Sequence, residues 1–265
     1  MTEFAARSTR KAATAARMYD YYLGGMHNFP ADREAADAVI ERFPFVPGAA
    51  RANRAFVVNA VRRLSESGIR QFLDIGSGLP TVDNVHSVAR RIHPDTRVAY
   101  VDLDPVAVAE SLDILDGDGL AVAVLGDVQR PQSIVDHPEV RRLLDFDRPI
   151  GVILAAVLHF VPEHRVADEA VATLIASVVA GSYFVMSHTA TESFELFTAT
   201  EDVYQRRTST PGTIRTHAEV ERLFTGLEVL DPGVVWAQEW RSGAVGERVE
   251  SPGAGGVWAG VGRKP

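Results

Sequence analysis

The chain contains no cysteine, which excludes disulfides and thiolate chemistry. No apolar run approaches the roughly 20 residues needed to span a bilayer, and the first residues lack the continuous apolar segment of a secretion signal. A basic excess is also missing: 27 Lys and Arg stand against 35 Asp and Glu, giving a formal charge of −8 and a pI near 5.5. A nucleic-acid partner rewards a basic surface with counterion release, so none is expected here. A small-molecule partner and a cytoplasmic, membrane-free location are the expectation.

What is present is ordinary in bulk and informative in detail. The 265 residues, 46% hydrophobic and 23% charged, suffice for one large domain with a small cap. The first 17 residues, rich in alanine and carrying Arg7, Arg10, Lys11 and Arg17, read as a frayed basic helix rather than a transit peptide.

The organising stretch is Gln71 to Pro80. Phe72, Leu73 and Ile75 form an apolar strand that runs into a turn with Gly76 and Gly78, and a helical period follows through Val85, Val88, Ala89 and Ile92. Strand, glycine turn and helix make a place where a nucleotide-like ligand meets backbone instead of side chain. Upstream, Met18 to Arg33 mixes tyrosines, Gly24 and Gly25, amides and charges; this predicts a helix end, a glycine turn and a new helix from about Ala31, with the segment folding over a ligand. Pro44 to Gly48 read as a loop, with Asn53 capping a helix from Arg54 to Glu66 that Gly68 ends. Arg51, Asn53 and Arg54 are placed to face the cleft.

Downstream the pattern repeats. Arg97 to Asp102 is a second strand, and Asp104 caps a helix with Pro105 in its first turn and Val108, Leu112 and Leu115 on its buried side. Leu120 to Leu125 is a third strand closing on Gly126 and Asp127. Ile150 to Ala156 is a fourth, apolar throughout as in a covered parallel sheet. A fifth, Tyr183 to Ser187, ends beside His188; Glu192 to Arg207 reads as helix, and Thr216 with Glu219 forms a capping box. Leu227 to Leu230 and Val257 to Val261 would complete a seven-stranded, mainly parallel, Rossmann-like α/β sheet, with Ser242 to Gly256 as a mobile tip. Residues 1–50 are expected to form an N-terminal helical cap and 51–265 the cofactor-binding body. Asp74, Gly76, Gly78, Asp102, Asp127 and the surroundings of His159 all fall at strand carboxyl ends, where open α/β sheets bind ligands.

The variant of the turn narrows the ligand. GxGxxG fails at its sixth position, where Thr81 stands, and no GxxxxGK[ST] occurs. An acid two residues before the first glycine suits a cationic group. S-adenosyl-L-methionine carries a sulfonium and an ammonium and no phosphate. Asp102 would then accept from both ribose hydroxyls and Asp127 from an adenine amine. A nicotinamide-dependent oxidoreductase and a non-catalytic S-adenosyl-L-methionine sensor or scaffold are the rival readings.

Asp74-Ile-Gly-Ser-Gly78, Tyr-Val-Asp102-Leu-Asp104-Pro, Leu-Gly-Asp127-Val and Val-Leu-His159-Phe-Val-Pro resemble the cofactor motifs of class I S-adenosylmethionine-dependent methyltransferases. Tyr19-Asp-Tyr-Tyr-Leu-Gly-Gly25 with Asn28 and Asp32-Arg33, Asn84-Val-His86, Asp145-Phe-Asp-Arg-Pro and the terminal Gly-Val-Gly-Arg-Lys-Pro resemble the actinobacterial DUF574 branch over nearly the whole chain. The resemblance implies cofactor contacts from Asp74, Gly76, Ser77, Gly78, Asn84, Asp102, Leu103, Asp104, Gly126, Asp127, Val128 and Ala156. Pro80 stands where a third glycine is common, which reads as a stiffened turn.

Methyl transfer from a sulfonium needs alignment above all, and a base only where the acceptor must lose a proton. His159, His188 and Tyr19 are the candidate catalytic residues. The fourth strand lacks an Asn/Asp-Pro-Pro signature and an acid to hold a divalent ion, so a metal-dependent mechanism is not expected. The expected activity is O- or N-methylation of a small metabolite by a monomer or homodimer, under an aromatic cap of Tyr19, Tyr21, Tyr22 and Phe29.

Overall fold

A computed structural model describes residues 13–79, 83–190, 212–240 and 256–265. Pro80, the helix expected over 192–207 and nearly all of the tip expected at 242–256 lie outside the described residues, as do residues 1–12.

The centre is one sheet. Strands β1 (Gln71–Ile75), β2 (Arg97–Asp102), β3 (Ala121–Leu125), β4 (Gly151–Ala155) and β5 (Tyr183–Ala190) run parallel in the order β3-β2-β1-β4-β5. β8 (Gly256–Arg263) then runs antiparallel to β5 and carries β6 (Glu228–Val229) and β7 (Val235–Trp236) on its far side. The sheet thus has eight strands instead of the seven expected, because the two-residue β7 is too short to show a period of two. β5 is also longer than expected: β8 pairs with it all the way to Ala190↔Gly256, which keeps His188 inside the strand.

Helices cover both faces. α1 (Ala15–Tyr22), α2 (Pro30–Arg42), α3 (Val46–Glu66), α4 (Val85–Arg90) and α5 (Pro105–Ile114) come first, followed by α6 (Pro131–Val135), α7 (Pro138–Leu143), α8 (His164–Ser177) and α9 (His217–Arg222). Leu73, Ile75, Ala99, Val101, Val152 and Leu154 pack with α6 to α9; Phe72, Val98, Tyr100 and Ile153 pack with α3 and α4. The strand period of two therefore sends Asp74 and Asp102 to the α3 side at the sheet's carboxyl edge.

α3 departs from its expected start. Pro47 sits in the first turn, where a missing N–H breaks no helical bond, so the helix begins at Val46 and Asn53 is an interior residue, not a cap. One continuous helix therefore crosses the expected 50/51 boundary, with Ala50 in the cap cluster and Phe56, Val57, Ala60, Val61 and Leu64 in the sheet core. In α5, Leu112 is exposed and Ser111 takes the buried place instead, donating to the Ala107 carbonyl at 2.7 Å.

The cap is held by its own polar residues. Asp20 accepts from the His27 backbone N–H and from Asn28 Nδ2, each at 2.9 Å, and a side chain on Gly25 would collide with that carboxylate. Arg33 clamps the Asn28 carbonyl and Oδ1. Arg17, buried, reaches Asp32 at 2.8 Å and Asp104 at 3.3 Å, tying α1 to the start of both α2 and α5.

Candidate active site

A cavity of about 790 Å³ lies beyond the carboxyl ends of β1, β2 and β4 and under α1 and α3. α3 lines it with Val46, Ala49, Ala50, Asn53, Arg54 and Val57, one stripe at helical spacing. Asp74, Gly76, Ser77, Gly78, Asp102, Leu103, Asp104, Gly126, Asp127, Val128 and Ala156, all expected at the cofactor, line the same space, as do Tyr19 and His159.

Asn84 does not line the cavity. Its Oδ1 accepts from the Ser87 backbone N–H at 3.0 Å and caps α4, which makes it a helix-start residue. Tyr21 and Phe29 are also absent from the walls: Tyr21 donates to Asp37 at 2.9 Å, and Phe29 lies beneath the Arg17 guanidinium. Tyr19 and Tyr22 are the cap tyrosines that face inward. Of the three candidates at the start of the expected helix, Asn53 and Arg54 reach the cavity and Arg51 is exposed.

The glycine turn is shaped as much by packing as by any ligand. Gly76 has φ +72°, and a Cβ there would strike the Val157 side chain. Gly78, at φ +59°, faces open space apart from Ala16 at 3.8 Å, so this is the glycine that leaves room for a ligand. Asp102 braces the turn: its Oδ2 accepts from Gly78 N–H at 2.7 Å and its Oδ1 from Asp104 N–H at 2.9 Å. Each oxygen keeps acceptor capacity, enough for two neighbouring hydroxyls. Burial raises the Asp102 carboxyl above its usual range, against these backbone bonds.

Asp74 is the least satisfied group in the site. It is buried, and among the described residues it has no hydrogen-bond partner. Burial pushes its carboxyl up to about 7; the Arg54 cation opposes the shift and the Asp102 charge adds to it. Arg54 Nε is itself buried without a partner. Two opposite charges thus face one cavity without closing on each other, and the donor and acceptor set fits a nucleoside bearing an amino-acid end.

The other end is built on β4 and β5. Ala156 holds φ +52°, a costly conformation for a residue with a Cβ, and its N–H donates to Ser187 Oγ at 2.9 Å. Ser187 Oγ in turn donates to Asn53 Oδ1 at 2.6 Å, and Asn53 Nδ2 donates to Tyr19 Oη at 2.9 Å. Tyr19 completes the chain by donating to the Ala50 carbonyl at 3.1 Å, and burial raises its phenol against the Asn53 bond. Cap, α3 and sheet are joined by this buried polar line.

His159 sits on a short 3₁₀ turn, Leu158–Phe160, with Nδ1 3.4 Å from Thr189 Oγ1. Burial holds its imidazole well below the usual range, with His188 and Arg215 adding to the effect. His188, expected beside the acceptor, does not line the cavity. Because β5 runs on to Ala190, strand alternation turns Thr189 inward and His188 away. Arg215 donates to His188 Nε2 at 2.9 Å, so the ring proton is on Nδ1, which donates to the Thr189 carbonyl at 2.7 Å. With its one acceptor nitrogen occupied and burial pulling its pKa down to about 3, His188 has no free site to act as a base. Arg215 also holds the Leu158 and Val161 carbonyls, each at 2.8 Å, and so fixes the turn that carries His159. Nothing in its sequence neighbourhood, an isolated arginine before a capping box, marks that role.

Among the described residues no helix is long and apolar enough to cross a membrane. No curated protein matches the chain. Two solved structures do so closely. One is a candidate methyltransferase from Thermobifida fusca YX, 38% identical over 96% of this chain and 95% of that one, with a TM-score of 0.88. The other is a DUF574 family protein from Streptomyces avermitilis MA-4680, 38% identical over 96% and 98%, with a TM-score of 0.86. The N-methyltransferase NodS from Bradyrhizobium japonicum WM9, solved with S-adenosyl-L-homocysteine, shares the fold at 14% identity over 94% and 99%, with a TM-score of 0.52. A family model described as S-adenosyl methyltransferase matches residues 2–265. The chain therefore belongs to the S-adenosyl methyltransferase family, and S-adenosyl-L-methionine is its cofactor.

Proposed function

We propose that the protein methylates an oxygen or nitrogen of a small metabolite in the cytoplasm, without a metal, as a monomer or homodimer. The observation that carries the reading is a single cavity holding both the cofactor acids and His159 under the cap. At about 790 Å³ it lies toward the upper end of the roughly 300–1,000 Å³ of ligand sites, with room for a nucleoside and a second small molecule. When bound, the cofactor supplies a methyl group already activated by a positively charged sulfur.

The chain's own residues then have to bind, align and exclude water. Asp102 and Asp127 would accept from the nucleoside, with Leu103 and Val128 beside them. In this reading residues 1–50 are the cap over a body of 51–265, held in place by the hydrogen bond between Tyr19 and Asn53. An acceptor hydroxyl or amine gains the methyl and loses a proton, and in this reading His159, which lines the cavity, takes that proton. Its depressed pKa keeps the imidazole neutral, and so able to accept, throughout the neutral range. In this reading no metal enters any of these steps.

The test is transfer of labelled methyl from S-adenosyl-L-methionine to a panel of small phenols, alcohols and amines in the presence of a chelator. Label on an oxygen or nitrogen supports the reading. Tight S-adenosyl-L-homocysteine binding with no transfer to any acceptor would make this a non-catalytic binding protein.

A further inference from the structure

The charges that face the cavity are not spread evenly over the sheet. Asp74, Asp102, Asp104 and Asp127 follow β1, β2 and β3, and Arg54 lies close enough to Asp74 to oppose the effect of its burial. Asp20, the other acid in the described wall, already accepts from the His27 N–H and Asn28 Nδ2. Across β4, β5 and β8, the other half in strand order, no charged side chain lines the cavity among the described residues. Phe160, Pro162, Ala190, Ile214 and Val257 stand there instead, and the cap adds Phe45 and Val46 to the same cavity. The polar side chains described in that half are His159, which burial keeps neutral, and Thr189, whose Oγ1 is 3.4 Å from the ring.

The backbone holds this wall in place. The Thr213 N–H donates to the His159 carbonyl at 2.7 Å, and Arg215 binds the Leu158 and Val161 carbonyls, so Ile214 is fixed between two anchors on the His159 turn. Thr189 and Val257 are direct partners across β5 and β8, which puts both side chains on one face. A carboxylate, phosphate or ammonium seated here would lose its water and meet no opposite charge, an expensive exchange. A free alkylamine is an ammonium at neutral pH, whereas a phenolic hydroxyl is uncharged. Flat rings suit walls built partly of Phe45 and Phe160. We propose that this charge-free half selects as methyl acceptor an uncharged, largely apolar ring compound that presents a hydroxyl to His159 and Thr189, and that it rejects acceptors bearing a carboxylate, phosphate or ammonium. This rests on the methyl-transfer reading above and narrows its acceptor from any small metabolite to a neutral, lipophilic one.

Three naphthalenes of similar size and different charge test the selection: neutral 2-naphthol, anionic 2-naphthoate and cationic 2-naphthylmethylammonium. Each is titrated near neutral pH into the full chain saturated with S-adenosyl-L-homocysteine. 2-Naphthol should bind saturably, and each charged relative should bind at least about tenfold more weakly, because a buried charge without a partner is costly. Ile214→Lys, which plants a cation in the wall, should raise 2-naphthoate affinity at least about tenfold over wild type and weaken 2-naphthol. A thermal melt close to wild type would show that the variant folds, and the wild-type series decides the question if it does not. Charged relatives that bind as tightly as 2-naphthol, or no saturable binding of any of the three, would overturn the proposal. Saturable 2-naphthol binding with no methyl transfer to any acceptor would leave the selection standing and overturn the catalytic reading. Transfer confined to charged acceptors would do the reverse.

Discussion

Two arginine–aspartate couples in this molecule are built in opposite ways. Arg17 and Asp32 are closed: the guanidinium lies 2.8 Å from the carboxylate, which also accepts from the Phe29 and Thr14 backbone N–H groups. Arg54 and Asp74 are open, with no hydrogen bond between them. The closed couple has answered every charge from within the chain, so it is architecture. The open couple leaves its charges to something from outside, which is what a binding site must do. Burial alone would not have told them apart, since Asp32 and Asp74 are both buried.

The contrast is sharpest in stability. Arg17→Met strands a buried carboxylate and should cost about 3–5 kcal/mol, read by urea denaturation of the cofactor-free protein. Arg54→Met, which breaks no pair, should cost less than about 1 kcal/mol. Equal losses would erase the distinction.

Asp74→Asn comes next, with the opposite sign. The folded state raises the Asp74 carboxyl to about 7 from an ordinary 3.8, so the native protein binds the extra proton and loses stability as pH rises from about 4 to 7. Each unit of displacement is worth about 1.4 kcal/mol. Replacing the carboxylate should therefore stabilise the cofactor-free protein at pH 8 by a few kcal/mol, a gain that narrows toward pH 4. A less stable variant at pH 8 would mean that Asp74 is already satisfied within the chain.

The smallest effect on cofactor binding belongs to His159, at the far end of the cavity. His159→Ala should leave S-adenosyl-L-homocysteine affinity within about twofold and lower turnover of a protic acceptor by on the order of 10²-fold or more. In the wild type, the acid limb of the pH–rate profile should lie well below 6.5, because burial, His188 and Arg215 all disfavour the imidazolium. A limb near 6.5, or a large loss of cofactor affinity, would contradict that placement.

Much of this was legible in the sequence, for identifiable reasons. Apolar runs closing on Asp74, Asp102 and Asp127 fixed the parallel strands and the edge where the cavity opens, because strand ends and glycine turns are local signals. The capping box of Thr216 and Glu219 is present as expected, with Glu219 accepting from Thr216 N–H at 2.8 Å. What failed depended on distant partners. The reach of β5, and with it the side to which His188 turns, is set by pairing with β8 some seventy residues later in the chain. In the cap, Asp20, Asn28 and Arg33 brace one another around Gly25, a pairing the sequence does not show because polar residues that build a loop and those that bind a ligand are the same types. Arg54 was visible as a cleft candidate, but only the structure shows that its Nε has no partner among the described residues.

The most direct measurement is a crystal structure of the full chain with S-adenosyl-L-homocysteine. The account predicts the α-carboxylate within hydrogen-bond distance of the Arg54 guanidinium and the α-ammonium against Asp74, with the ribose hydroxyls on Asp102. An amino-acid end pointing elsewhere, with Arg54 closed onto Asp74 as Arg17 is onto Asp32, would contradict it.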